Sequence, residues 1–324
     1  TPQIIAMDEK NYDRSATIAA IATPPGEGGV AIVRISGPKA LAVANLVFSR
    51  PLGEEDSHRV RYGQILTEDD QVIDQVLAIP FCGGRSYTGE ETVEIHCHGG
   101  SLIARKVLER VLEGGAVGAK PGEFTYRAFM NGKLDLAQAE AVQAVIGAKS
   151  EKAIHAAREQ LQGRLSERVR QFQRELTEIA AILEAWVDFP EEGLEFATPQ
   201  QLVGQLARLV GQMQQLLATF EQGRILHEGF TVCLVGSPNV GKSSLMNALL
   251  DRERAIVTAI PGTTRDTLED YMSLGGFHLR LIDTAGIRQT EEEVEKEGIK
   301  RSHLAMEEAD IVLLLKDATA PGEE

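Results

Sequence analysis

Long apolar runs are missing from this sequence of 324 residues, since no stretch approaches the about 20 residues that a bilayer span requires. A membrane protein is not expected. Cysteine is scarce too: Cys82, Cys97 and Cys233 form an odd, scattered set without Cys-x-x-Cys spacing, which argues against a disulfide framework or a zinc ribbon. Reduced structural thiols are the expectation. Thr1 to Arg14 is polar and acidic and lacks the basic-then-apolar layout of a secretory leader, so the cytoplasm is the expected compartment. Basic charge is in deficit, with 33 Lys and Arg against 48 Asp and Glu and a formal net charge of −15. That balance disfavours holding nucleic acid by bulk phosphate attraction, so any RNA is expected to be gripped partly by a partner.

Hydrophobic residues make up 43% and charged residues 25%, the balance of a globular chain, and the length suggests two or three domains. The fold class expected is multidomain, α+β followed by α/β. From Thr17 to Glu94, β-type runs (Ile18 to Ala22, Val30 to Ile35, Val76 to Ile79) alternate with Gly/Pro-rich turns and one helix-like stretch, Pro38 to Phe48. Further on, Leu165, Val169, Phe172, Leu176, Ile179, Leu183 and Trp186 recur at spacings of four and three, which predicts a long amphipathic helix. Asp188, Phe189, Pro190 and Gly193 break it, and Leu202, Leu206, Leu209, Met213, Leu216 and Phe220 repeat the spacing. A helical hairpin or part of a bundle follows, whose stripes serve packing alone.

At Phe230 the pattern changes to a buried strand (Phe230 to Val235), a Gly-rich turn, a helix (Lys242 to Leu250), strands near Leu268 to Leu274 and Phe277 to Ile282, and a strand Ile311 to Leu315. The turn, Gly236-Ser237-Pro238-Asn239-Val240-Gly241-Lys242-Ser243, matches G-x-x-x-x-G-K-[ST] in the required strand-to-helix context. Such a loop turns backbone N–H groups around phosphates at a helix N-terminus, with Lys242 reaching the β- and γ-phosphates and Ser243 offering its hydroxyl to Mg2+. Asp283-Thr284-Ala285-Gly286 ends an apolar strand, where a nucleotide hydrolase of this class places an acidic residue that holds magnesium through water. Between the two lies Thr258-Ala259-Ile260-Pro261-Gly262-Thr263-Thr264-Arg265-Asp266, in the position of a switch loop. The candidate nucleotide contacts are therefore Asn239 to Ser244, Thr258 to Thr264 and Asp283 to Gly286, including Val240, Gly241, Ser244, Ala259, Pro261, Thr284 and Ala285.

These motifs resemble those of the translation-factor-related GTPases, with a Gly-Thr-Thr-Arg-Asp form like the Era/TrmE branch. The guanine-reading Asn-Lys-x-Asp is missing, and Asn131-Gly132-Lys133-Leu134-Asp135 has an extra residue and lies upstream of the loop, so guanine specificity is implied by the resemblance alone. The chain is accordingly expected to stop halfway through its G domain. The Gln that orients water in Ras-like enzymes is replaced by Ile287 after Asp-x-x-Gly. Glu291-Glu292-Glu293-Val294-Glu295 supplies carboxylates that either act on water or form a solvated turn.

Gly28 to Gly37, Thr88 to Glu94, His98-Gly99-Gly100, Pro121 to Phe129 and Lys133 to Glu140, added to the loop motifs, closely resemble the MnmE (TrmE) family of tRNA-uridine modification GTPases along nearly the whole chain. The resemblance implies a folate-binding and dimerisation domain (1–132), a first helical segment (133–228) and the front half of a P-loop G domain (229–324). It implies GTP, Mg2+, K+ and a one-carbon-substituted tetrahydrofolate as ligands. Arg34, Glu94 and Lys133 match the folate-holding positions. Asn239, Thr258, Ile260 and Thr263 match the potassium ligands, Thr264 the magnesium-binding switch threonine beside Ser243, and Glu295 the carboxylate that replaces the missing Gln, so that Glu295, Thr264 and Asp283 are the catalytic set. The partners implied are a second copy in a homodimer, an FAD-dependent tRNA-modification protein in a heterotetramer, and tRNA.

Other readings remain. Glu94, His96 and His98 alternate on one strand face, so a metal site is geometrically possible, although the family pattern offers none. A GTP-switched ribosome-assembly factor would share the loop motifs but needs an RNA-binding appendage. A folate-binding scaffold with a merely regulatory nucleotide site would bind reduced folates without turning GTP over.

Overall fold

The computed structural model describes residues 13, 15–189, 197–236, 240–252, 269–283, 306, 307 and 309–316. The chain divides into two compact units, Thr1–Ala139 and Glu140–Glu324.

The first unit is built on strands β1 (Ile18–Ile21), β2 (Val30–Ser36), β3 (Arg61–Leu66), β4 (Val72–Phe81), β5 (Thr92–His98) and β6 (Val117–Gly118), in the sheet order β3-β4-β5-β2-β1-β6. All pairings are antiparallel except β1 with β6. Successive strand side chains point to opposite faces, so Ala31, Val33 and Ile35 of β2 lie with Val93, Ile95 and Cys97 of β5 on the core face. Helices α1 (Ala40–Val47) and α2 (Ser101–Glu113) supply Ala40, Val43, Ala44 and Val47, and Ala104, Val107 and Val111, to the same core. The alternate positions, Arg34, Glu94 and His96, are thereby committed to the other face. Helices α3 (Glu123–Met130) and α4 (Leu136–Gly147) follow. The helix expected over Pro38 to Phe48 and the strands expected up to Glu94 are present, with ends shifted by a few residues.

A buried guanidinium fastens this unit. Arg127 on α3 is 2% exposed and bonds Glu123 (Nη2 to Oε1, 3.0 Å), Glu90 (Nη1 to Oε2, 3.1 Å) and the carbonyls of Ala16 (2.9 Å) and Asp13 (3.2 Å). Glu90 accepts in turn from Ser36 Oγ at 2.7 Å, and Glu123 caps the turn before its own helix by accepting from Lys120 N at 2.9 Å. One side chain thus ties the entry to β1, the end of β2, the β4–β5 connection and α3.

In the second unit α5 (Glu151–Leu161) begins at Ser150, whose hydroxyl accepts from Ala153 N. Gly163 separates α5 from α6 (Arg164–Asp188), and α7 (Pro199–Ala218) opens with Pro at its first turn and a Thr198–Gln201 capping box. The expected long helix is α6, with Phe172 and Ile179 buried; α7 buries Leu202 and Leu209 of the second stripe. Phe220 does not end that second helix. Thr219 closes α7 with two bonds to the Leu216 carbonyl, from its N–H and its hydroxyl, and Phe220 opens a separate helix, α8 (Phe220–Glu228).

The second sheet has the order β10-β7-β9-β8, from β7 (Phe230–Gly236), β8 (Glu269–Leu274), β9 (Phe277–Asp283) and β10 (Ile311–Leu315). β10, β7 and β9 are parallel, and β8 is antiparallel to β9. α9 (Lys242–Arg252) covers one face, packing Leu245, Met246 and Leu249 against Val232, Leu234, Met272 and Leu281.

Replacing Arg127 by Met leaves the buried Glu123 and the half-buried Glu90 without their cation, and loss of the partner of a buried carboxylate costs about 3–5 kcal/mol. Urea denaturation followed by far-UV circular dichroism is expected to show a correspondingly earlier transition; an unchanged midpoint would contradict the role given to Arg127.

Candidate functional site

Parallel strands β10, β7 and β9 end together, and the crevice beyond such carboxyl ends is where α/β sheets place ligands. Leu315 pairs with Gly236, and Leu234 with Asp283, so the end of β7 and the acidic last residue of β9 lie side by side at one edge of the sheet. Gly236 has φ +153, and a Cβ there would run into the Leu315 carbonyl oxygen, so this close approach admits only glycine. Gly241, φ +97, turns the chain into α9. Lys242, 6% exposed, starts that helix and folds its ammonium back across the loop to the Gly236 carbonyl at 2.5 Å. That internal bond holds the cation at the carboxyl end of β7.

Val240, Gly241, Lys242 and Ser244 lie at this crevice, and Ser243 and Asp283 are placed there by their backbones as the second residue of α9 and the last of β9. Asn239, Thr258, Ala259, Ile260, Pro261, Gly262, Thr263, Thr264, Thr284, Ala285, Gly286 and Glu295 lie outside the described residues. These include all four expected potassium ligands.

The second constellation lies on the open face of the first sheet. Arg34 and Glu94 are direct cross-strand partners, joined by Nε to Oε1 at 2.9 Å and Nη2 to Oε1 at 2.8 Å. The Arg34 guanidinium lies 5.4 Å from the ring centroids of both Tyr87 and Phe124. Tyr87 is pinned by its hydroxyl to Thr125 Oγ1 at 2.9 Å. Lys133 reaches the adjoining turn, where a Cβ on Gly89 (φ +77) would come within 3.3 Å of its side chain, and Asn131 Nδ2 donates to the Thr88 carbonyl at 2.7 Å. The three expected folate residues are thus carried by β2, β5 and the segment after α3. Tyr87 and Phe124 were not singled out in the sequence, although Phe124 stands inside one of the quoted motifs.

His96 Nε2 lies 3.5 Å from Glu94 Oε2, poorly aligned for a hydrogen bond, and is buried without a hydrogen-bond partner among the described residues. His98 instead turns to Asp74, Nδ1 to Oδ1 at 2.7 Å. No group of three His, Cys, Asp or Glu side chains able to hold a metal occurs among the described residues, so the Glu-x-His-x-His alternation forms no such site. Cys97 sits on the core face, where burial, assisted by Asp74, pushes its thiol up to about 11 and keeps it protonated at neutral pH. Cys82 and Cys233 are likewise buried, and neither forms a disulfide among the described residues.

Comparison with known proteins matches residues 17–133 to the family described as GTP-binding protein TrmE N-terminus and residues 136–318 to the MnmE helical domain. The chain belongs to the MnmE family of tRNA modification GTPases. Among its relatives, the tRNA modification GTPase MnmE of Protochlamydia amoebophila is 62% identical over 95% of this chain and 67% of its own length. Those of Geobacter sulfurreducens and Symbiobacterium thermophilum are 49% and 50% identical over 95% and 94% of this chain, and 68% and 67% of their own lengths. The chain therefore spans about two thirds of the length of each of these three relatives. A solved G domain of the T. maritima FeoB iron transporter is 33% identical over 28% of this chain and 57% of its own, with a TM-score of 0.20, too low to bear on the fold. Among the described residues, no helix is long and apolar enough to cross a membrane.

Gly236→Ala is the sharpest test of the crevice. The new methyl group must displace the end of β10 or distort the loop, and strain of this kind costs about 1–3 kcal/mol. A lower melting temperature with weakened nucleotide binding is expected; wild-type values of both would contradict the close approach.

Proposed function

We propose that this chain carries the GTP-hydrolysing and folate-holding parts of a tRNA-modifying enzyme. With an FAD-dependent partner in a heterotetramer, it would install an aminomethyl or carboxymethylaminomethyl group at C5 of the wobble uridine, drawing on a one-carbon-substituted tetrahydrofolate. The observation that carries the nucleotide half is the placement of Lys242 across the loop at the strand end paired with Asp283. Three parts are proposed along the chain: folate binding and dimerisation in 1–132, a helical segment in 133–228 and the G domain in 229–324, acting in the cytoplasm.

In this reading Lys242 releases the Gly236 carbonyl to bind the β- and γ-phosphates. Ser243 and Thr264 would hold Mg2+, with Asp283 acting on it through water. Asn239, Thr258, Ile260 and Thr263 would hold K+, which supplies positive charge where the leaving oxygens become negative. Glu295 orients the attacking water in place of the missing Gln. In the first unit Arg34 and Glu94 offer donors and an acceptor to a pterin or its glutamate tail, between Tyr87 and Phe124, which supply a surface for stacking.

GTP hydrolysis compared in potassium and sodium tests the cation assignment: the rate is expected to fall about tenfold or more in sodium, as when one element of charge stabilisation is withdrawn. Equal rates would remove potassium from the account. Asp283→Ala and Glu295→Ala are expected to lower potassium-stimulated turnover by about 100-fold; unchanged turnover in either variant would remove that residue's role. For the folate half, Glu94→Gln is expected to weaken binding of a one-carbon-loaded reduced folate by about tenfold, or 1.4 kcal/mol, in isothermal titration, while leaving GTP turnover unchanged. Undiminished folate affinity would contradict the assignment.

A further inference from the structure

Glu94 uses one of its two carboxylate oxygens. Both Arg34 donors go to Oε1, from Nε at 2.9 Å and from Nη2 at 2.8 Å. Oε2 accepts no hydrogen bond among the described residues, and His96 Nε2 stands 3.5 Å from it, beyond the usual length of such a bond. That ring nitrogen is itself buried and without a hydrogen-bond partner among the described residues. An unused oxygen and an orphaned nitrogen are thus neighbours on the open face of the first sheet.

The ring's neighbours in the sheet offer no alternative. Across the ladder His96 stands between Ile32 on β2 and Leu77 on β4, whose side chains carry no polar atom. The next residue on the same strand face, His98, is turned to Asp74, with Nδ1 to Oδ1 at 2.7 Å and its main-chain N–H donating to Oδ2 at 2.8 Å. A buried polar atom without a bond is costly, and a second arrangement of the site that uses it accounts for its presence.

That second arrangement follows from the charges. In the structure Arg34 and Glu94 neutralise each other. A ligand carboxylate or ring acceptor that takes the Arg34 donors draws them off Oε1 and leaves Glu94, whose side chain is only 17% exposed, without its cation. A carboxylate so far withdrawn from water needs a replacement donor. His96, with a proton on Nε2, supplies one after a small rotation of either side chain, and leaves Oε1 open to N–H groups of the ligand.

We propose that His96 is a positioning residue of the folate site: it takes hold of Glu94 Oε2 when a ligand draws Arg34 away, and so keeps the carboxylate aimed at the ligand. This rests on the proposed reading of Arg34 and Glu94 as folate-holding residues and adds His96, which is not among the positions expected to hold folate. His96 acts through Glu94 and does not touch the ligand.

The test is isothermal titration of the full chain with 5-formyltetrahydrofolate, in a double-mutant cycle of His96→Leu and Glu94→Ala. His96→Leu is expected to weaken binding by about tenfold, the effect of losing a hydrogen bond to a charged group. His96→Gln, whose amide can donate to Oε2, restores most of that loss, and His96→Leu has no further effect once Glu94 is replaced. A histidine that only fills space would cost the same with or without Glu94. Wild-type affinity in His96→Leu, or a loss that persists in the Glu94→Ala background, overturns the positioning role and leaves the folate reading standing; no binding by the wild-type chain overturns both. Proton NMR of the wild-type chain gives a readout independent of the double variant. The His96 Nε2–H resonance, assigned by its loss in His96→Gln, is expected to move downfield and exchange more slowly with water on saturation with the folate, as it gains a carboxylate acceptor. A resonance unmoved by saturating folate overturns the proposal.

Discussion

The buried charge of Arg127 is the constraint on which the first unit depends. A guanidinium out of water must be met by acceptors on several sides, and here they come from Glu123, Glu90 and two main-chain carbonyls near the start of the described chain. Meeting that demand brings the connection carrying Tyr87 and the helix carrying Phe124 to the end of β2. Those two aromatic rings then flank Arg34. A polar contact that looks purely structural thus shapes the face that the sheet's alternation leaves open, with Arg34 and Glu94 at its centre.

The second unit solves a different problem. Three parallel strands end at one edge, and their last residues are held in register by the ladder rather than by side chains. Gly236 is forced by the proximity of the Leu315 carbonyl, and the turn it permits delivers Lys242 to the head of α9. At the opposite ends of the same strands, Asp310 satisfies the first residues of β7 while Arg224 satisfies Asp310. Sheet geometry therefore builds two charged environments, one at each end of β7.

Much of this was legible in the sequence where a local rule and a long-range one agree. The loop from Gly236 to Ser243 stands between an apolar strand and a helix, and the structure has β7 and α9 there. The four-and-three spacing of α6 was equally plain. The same spacing misled at Phe220, because it carries across a break: Thr219 diverts its own N–H and hydroxyl to Leu216, a capping choice that a hydrophobic pattern does not register. α2 escaped notice because its buried stripe is short and made of Ala104, Val107 and Val111. Tyr87 and Phe124 were not legible as site residues, since their relation to Arg34 arises only when strand pairing and the Arg127 bonds bring distant segments together.

Central to the account is that the crevice at the ends of β7, β9 and β10 receives a guanine nucleotide. Hydrogen–deuterium exchange of the full chain with GDP and Mg2+, against ADP and Mg2+, measures this directly. Protection of the backbone amides from Leu234 to Met246 with GDP alone is the predicted result; equal protection by ADP, or none with either, would contradict it.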